Sequence, residues 1–390
     1  MKLEVLDMKL KKLPACLLAA VTVFSCIPFG AAAFSSEEIK APSVALMEAQ
    51  TGKILYEKNP HEKRACASIT KIMTLLLVME ALDSGKIGLK DKVSASEHAS
   101  SMGGSQIWLK PGETMTVDEL LKAAVIASAN DCSVALAEYV AGSEDEFVSM
   151  MNQKAKQLKM NDTTFKNCYG LDEDGHVTSA HDVAVMSREL IKHPKIYDYT
   201  KVWMDYLRGG KTQLVNTNKL LKTYKGITGL KTGTTSKAGK CVSATAQRAG
   251  VSLIAVVLGC ADSKERFSNA AALLDYGFAN WSVASPQMPA EAFQPVPVRN
   301  GMKPKVETSV NPGTSILVPK GKAGNLKYGV TWENNISAPV KKGQVLGKVV
   351  CSLDGKALQE FEIRAKSSVS AITFDSAFRL LARRLLMANG

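Results

Sequence analysis

Two short alternating runs, Ser43-Val44-Ala45-Leu46-Met47 and Lys53-Ile54-Leu55-Tyr56, flank the turn residues Ala49-Gln50-Thr51-Gly52 and predict a β-hairpin. From Ser68 to Leu82 the chain is rich in Met, Leu and Ala and lacks Pro and Gly. That composition predicts a helix buried on most of its surface, with Ser68 at its start. Thr116-Val117-Asp118-Glu119 forms a capping box ahead of the apolar run Leu120 to Ile126, so another helix leads up to Ser128. Asn130-Asp131 punctuates the pattern, and a further helix follows through Val134 to Val140. Helical spacing recurs over Phe147 to Leu158 and His181 to His193, with a polar stretch around Asp172-Glu173-Asp174-Gly175 between them. Strand-like runs then end at Lys231-Thr232-Gly233, cover Cys241 to Ala246, and continue from Val251 to Gly259. Strands at both ends of this segment with helices between them predict an α/β layer whose terminal strands share one sheet.

Pro286, Pro289, Pro295 and Pro297 mark a linker and place a boundary near residue 285, dividing a segment 34–284 from a segment 285–366. In the second segment, Val-rich runs are broken by turns at Asn311-Pro312-Gly313 and Lys342-Gly343, which predicts a small β-sandwich or barrel. Over the last residues, 367–390, Phe374, Phe378, Leu381 and Leu385 share one stripe beside Arg379 and Arg383. Such a basic amphipathic helix can lie in a membrane interface, or it can dock on its own β-rich domain.

With 390 residues and 46% hydrophobic content, the chain can bury a large core in two or three domains. The formal net charge of +12 points to anionic surroundings such as envelope polymers or lipid headgroups. Nucleic acid is not expected, because the basic residues are dispersed and no zinc-finger or ribonucleoprotein motif occurs. Lys9, Lys11 and Lys12, the apolar run Leu13 to Phe29, and Ala31-Ala32-Ala33 read as a secretory signal over residues 1–33. The apolar run is shorter than the ~20 residues a spanning helix needs. Removing the signal takes four lysines and two acids and leaves a net charge of +10. The exported chain keeps Cys66, Cys132, Cys168, Cys241, Cys260 and Cys351. Their spacings define no disulfide framework, so single buried thiols are expected.

Ser68 and Lys71 stand three apart, so one helical turn brings the amine over the hydroxyl as nucleophile and candidate base. A lysine can take that proton only if much of it is neutral, which desolvation and a neighbouring cation such as Lys231 would favour. Ser128-Ala129-Asn130, at a helix end, can turn its polar side chains into a cleft. Lys231-Thr232-Gly233-Thr234 lies on a strand, where Gly233 would let a substrate backbone approach closely. Each motif alone has an ordinary structural explanation. His61, His98, His176, His181 and His193 contain no His-Glu-x-x-His pair and read as surface or structural histidines, so no metal and no other cofactor is expected.

Together and in this order, the three motifs are the signature of penicillin-binding proteins and class A β-lactamases. The surroundings resemble the low-molecular-mass D-alanyl-D-alanine carboxypeptidases, serine peptidases that trim peptidoglycan stem peptides. The resemblance runs through Ala67 to Thr74, Leu109 to Glu113, Ser128 to Asp131, Gly170-Leu171-Asp172, and Gly229 to Gly239. It implies a penicillin-binding/β-lactamase-like transpeptidase fold, an antiparallel sheet flanked by helices, with a small C-terminal all-β domain and an amphipathic anchor. It also implies export to the outer face of the cell membrane or wall, and covalent inhibition by β-lactams. The implied chemistry is acylation by Ser68 with Lys71 as base and Ser128 relaying a proton. Asn130 would hold the substrate amide, and Lys231, Thr232 and Thr234 its terminal carboxylate, in a region that Gly233 and Arg266 help shape. The chain departs from the family at Cys66 for proline, Ala129 for glycine and Thr228 for aspartate.

A β-lactamase of this fold would need an added catalytic glutamate, and no Glu-x-x-Leu-Asn block lies between Asn130 and Lys231. An endopeptidase or transpeptidase would share every motif and differ in its products. A catalytically silent wall-binding module would not require Ser68, Lys71, Ser128, Asn130 and Lys231 to be intact together.

Overall fold

A computed structural model describes residues 39–313 and 315–388. The secretory signal expected over residues 1–33 lies outside them. The hairpin forms as β1 (Ser43–Glu48) and β2 (Ile54–Lys58). A 3-10 turn, Ala67–Thr70, carries Ser68 and runs into α1 (Lys71–Asp83). Ile72 to Met79 of this helix are buried without interruption, Thr74 included, so it threads the core instead of lining it. Burial of each large apolar side chain there contributes roughly 2 kcal/mol.

The capping box closes as expected at the start of α2 (Val117–Lys122). The Thr116 hydroxyl accepts from the Glu119 N–H, and the Glu119 carboxylate accepts from the Thr116 N–H. Beyond it the helix does not continue regularly to Ser128. Ala123–Ala127 widens into a π-helix, and Ser128 follows in the left-handed region at φ 63°. Helices α3 (Asn130–Ala141), α4 (Glu144–Gln157) and α5 (Ala180–Leu190) complete the helical layer. The chain then enters β3 (Ile227–Thr235), β4 (Gly239–Arg248) and β5 (Val251–Cys260), and α6 (Ser263–Asn280) packs against β4 and β5.

The sheet order is β2-β1-β5-β4-β3, antiparallel throughout, so the first and last strands of the segment do share one sheet. β3 is an edge strand, and one row of its backbone groups faces out of the ladder.

Further along, β6 (Trp281–Ala284) pairs with a later strand, Ile316–Pro319, and the chain also builds a four-stranded antiparallel sheet. That sheet comprises β7 (Thr308–Val310), β8 (Leu326–Trp332), β9 (Val345–Leu353) and β10 (Lys356–Ala365). Alternate residues of β8, β9 and β10 pack on Ala292, Ile316 and Val318 to make a separate small core. The last helix, α7 (Phe374–Ala388), exposes Phe374, Phe378 and Leu381. No helix among the described residues is long and apolar enough to cross a membrane. Cys66, Cys132, Cys168, Cys241, Cys260 and Cys351 are all buried free thiols, as expected.

Candidate active site

The three motifs meet where the 3-10 turn, the π-helix end and β3 converge. Lys71 and Lys231 are among the largest fully buried side chains, whereas Ser68 keeps partial access to solvent. Lys71 Nζ has three partners: Ser68 Oγ at 3.0 Å, Asn130 Oδ1 at 2.6 Å and the Tyr169 carbonyl at 2.8 Å. The Asn130 amide is fixed in orientation because its Nδ2 donates to the Gly103 carbonyl at 2.7 Å. Both the Asn130 oxygen and the Tyr169 carbonyl can only accept. A neutral Lys71 amine therefore spends its two N–H bonds on them and aims its lone pair at the Ser68 hydroxyl.

Burial supplies that neutral form. Desolvation lowers the Lys71 pKa from 10.5 to about 7, opposed by the charge of Asp131 and the neighbouring thiols. Lys231 is pushed well below its ordinary value, first by burial and then by the positive charges of Lys71 and Arg266. The sequence suggested that Lys231 lowers Lys71. Here burial leads at both amines, and the cationic influence falls on Lys231. Lys231 Nζ donates to Ser128 Oγ at 2.8 Å and to the Thr232 carbonyl at 3.0 Å, which links the second motif to the third.

Two non-glycine residues beside the site hold positive φ, Ala67 at 49° and Ser128 at 63°, so the turn bearing Ser68 and the helix end bearing Ser128 are both strained. Gly233 is tightly packed within the protein itself. A Cβ there would lie 2.8 Å from the Cys66 carbonyl oxygen and 3.1 Å from the Ile69 nitrogen. The close approach it permits is that of the protein's own nucleophile turn. Gly170 is tighter still, since its Cβ would fall 2.0 Å from the Ala67 carbonyl oxygen.

Arg266 reaches the end of β3, where Nη1 donates to the Gly233 carbonyl at 3.0 Å and to Thr234 Oγ1 at 3.2 Å. Among the described residues, its buried Nε has no partner and no carboxylate is hydrogen-bonded or ion-paired to it. Thr232 Oγ1 donates to Thr217 Oγ1 at 2.6 Å, and Thr234 is exposed. Every sequence-predicted site residue is therefore gathered in one region, and Thr217 joins them from outside the motifs.

The sequence also gave no sign of a buttress behind Ser68. The buried His176 accepts at Nδ1 from the Lys166 N–H at 3.0 Å, so Nε2 carries the proton and donates to Thr70 Oγ1 at 2.7 Å. Thr70 in turn meets the Cys66 sulfur at 3.2 Å. Burial lowers the His176 pKa to about 4 and keeps the ring neutral. Of the residues that depart from the family, Cys66 and Ala129 are fully buried, and Thr228 Oγ1 donates to Thr245 Oγ1 at 2.8 Å.

An antiparallel sheet with an edge strand beside a helix-borne Ser-Lys pair defines the class of penicillin-binding acyl-transfer proteins. The penicillin binding protein 5 from Haemophilus influenzae superimposes with a TM-score of 0.76 at 32% identity, covering 85% of this chain and 98% of that one. The ampicillin-bound penicillin-binding protein D2 from Listeria monocytogenes matches with a TM-score of 0.56 at 32% identity, over 61% of this chain and 97% of that one. The family model for D-alanyl-D-alanine carboxypeptidase matches residues 30–262, and the model for the C-terminal domain of penicillin-binding protein 5 matches residues 290–371. The D-alanyl-D-alanine carboxypeptidase DacF of Bacillus subtilis is 44% identical over 377 residues, 94% of this chain and 96% of that protein. The chain belongs to the D-alanyl-D-alanine carboxypeptidase family.

Proposed function

We propose that this protein removes the terminal D-alanine from peptidoglycan pentapeptides through a Ser68 acyl-enzyme, and that β-lactams acylate the same serine. The observation that carries this reading is the Lys71 amine, held by two obligate acceptors with its third direction on Ser68 Oγ at 3.0 Å. Neutral Lys71 takes the Ser68 proton as the oxygen attacks the carbonyl between the two D-alanines. The backbone N–H groups of Ser68 and Thr234 stabilise the oxyanion, each worth about 3 kcal/mol in comparable sites. The proton returns to the leaving amine through Ser128, which Lys231 holds at 2.8 Å. Water then hydrolyses the acyl-enzyme. Asn130 orients both Lys71 and the substrate amide, while Thr232, Thr234 and Arg266 receive the terminal carboxylate. Arg266, which has no acidic partner among the described residues, suits that anion.

Among the described residues, no carboxylate side chain is hydrogen-bonded to Ser68, Lys71 or Ser128. The geometry thus favours a carboxypeptidase over a β-lactamase, which needs a fast general base for deacylation. We further read residues 1–33 as an export signal, 34–284 as the catalytic domain and 285–366 as the β-rich domain. The exposed Phe374, Phe378 and Leu381 of α7 support a membrane-surface anchor over 367–390, acting outside the cytoplasm. Intact-mass measurement tests the assignment: a penicilloyl adduct forms on the wild type and is absent from Ser68→Ala. An adduct at full level in that variant would overturn it.

A further inference from the structure

We propose that Trp108 determines specificity, its indole serving as the shelf for the aliphatic side chain that precedes the acylated D-alanine of the substrate. The proposal rests on the carboxypeptidase assignment and deepens it. Trp108 is 72% exposed between Ile107 and Leu109, which are 2% and 4% exposed. Its φ is 57°, a left-handed conformation that is unfavourable for a bulky side chain. An exposed indole gains little from packing to offset that cost, so the surroundings must impose it.

They do so from both sides. The buried Asp131 carboxylate accepts from the Ile107 N–H at 3.1 Å and the Leu109 N–H at 3.0 Å. Arg208 Nη1 donates to the Ile107 carbonyl at 2.9 Å, while its Nε donates to Glu113 at 2.7 Å. Asp131 directly follows Asn130, whose own N–H donates to the Ser105 carbonyl at 2.7 Å. The turn that carries Asn130 into the site is therefore the one that fixes Trp108 in solvent.

Beside Asn130 the same segment approaches with bare backbone at Gly104. A Cβ on Gly104 would lie 2.8 Å from Asn130 Nδ2 and 3.6 Å from Leu171 Cδ2. Leu171, 39% exposed, stands beside Gly104, and the exposed Trp108 follows on the same segment. With the substrate carboxylate at Arg266 on the β3 side, the upstream part of the peptide leaves past Asn130. A long aliphatic side chain suits an indole face there, because its methylenes can cover the ring while its polar end stays in water.

The test compares two acetylated tripeptides ending in D-Ala-D-Ala, one beginning with Nα,Nε-diacetyl-lysine and one with alanine. The ratio of their kcat/KM values for D-alanine release is independent of the active fraction of enzyme. Trp108→Ala lowers that ratio about tenfold, and Trp108→Phe keeps it within about twofold of wild type. An unchanged ratio in Trp108→Ala overturns the proposal, even where both rates fall together. A wild type that releases D-alanine from neither peptide overturns the carboxypeptidase assignment as well.

Discussion

If the buried Lys71 amine is the base, acylation of Ser68 follows the neutral fraction of that amine as pH changes. At the ordinary lysine pKa of 10.5, only about 0.03% of the amine is neutral at pH 7. With the pKa lowered to about 7, half of it is neutral at that pH and about 1% at pH 5. The second-order rate of acylation by a fluorescent penicillin should therefore rise about 50-fold from pH 5 to pH 7 and less than about twofold from pH 8 to pH 9. Stopped-flow or gel labelling over this range measures it. Lys71→Arg keeps a positive charge that does not titrate, so it should lose the rise and at least about 100-fold in rate at pH 7. A wild-type profile flat from pH 5 to pH 8, or one whose midpoint stays near 10, would refute the assignment of Lys71 as a base neutralised by burial.

Gly233→Ala drives a methyl into the Cys66 carbonyl at 2.8 Å, so the nucleophile turn must shift. It should cost about 1–3 kcal/mol in denaturant unfolding and about 100-fold in acylation rate. Wild-type values for both would show that the turn yields freely. Stability also depends on pH in a direction the site dictates. Lys71 and His176 have folded pKa values of about 7 and about 4, below their ordinary 10.5 and 6.5. The unfolded chain thus binds more protons, from about pH 4 to 6.5 through His176 and from about pH 7 upward through Lys71, and stability rises with pH across these windows. Near pH 9 the trend reverses, because the Cys66, Cys132, Cys168, Cys241 and Cys260 thiols, all raised above 9.0 by burial, stay protonated when folded but ionise when unfolded and together outweigh the lysines. Urea midpoints that fall steadily from pH 5 to pH 8 would contradict this balance.

Much of the site was legible because its chemistry is written in short linear motifs. Ser-x-x-Lys needs only one helical turn, and the Thr116–Glu119 capping box announced the helix that ends at the second motif. The alternating runs at residues 43–56 and 227–260 likewise marked the strands that became one sheet. What escaped depends on distance along the chain or on local irregularity. Lys71 meets the Tyr169 carbonyl across 98 residues, and Thr70 meets His176 across 106. No propensity or spacing connects such positions. Ala123 to Ala127 has ordinary helix formers, yet it widens into a π-helix and leaves Ser128 left-handed. At Gly233 the spacing suggested room for a substrate backbone, and it did not show that the Cys66 carbonyl also lies close. The lysine electrostatics were anticipated in direction only. Burial, which a sequence does not display for a charged residue, supplies the leading cause.

The central claim is that Ser68 cleaves the bond between two terminal D-alanines. Release of free D-alanine from a stem pentapeptide ending in D-Ala-D-Ala, measured side by side on wild type and Ser68→Ala, tests it most directly. The account predicts one D-alanine and one tetrapeptide per peptide consumed by the wild type, with Ser68→Ala at the uncatalysed background. Equal release by the two proteins, or no release by a wild type that still forms the penicilloyl adduct, would contradict it.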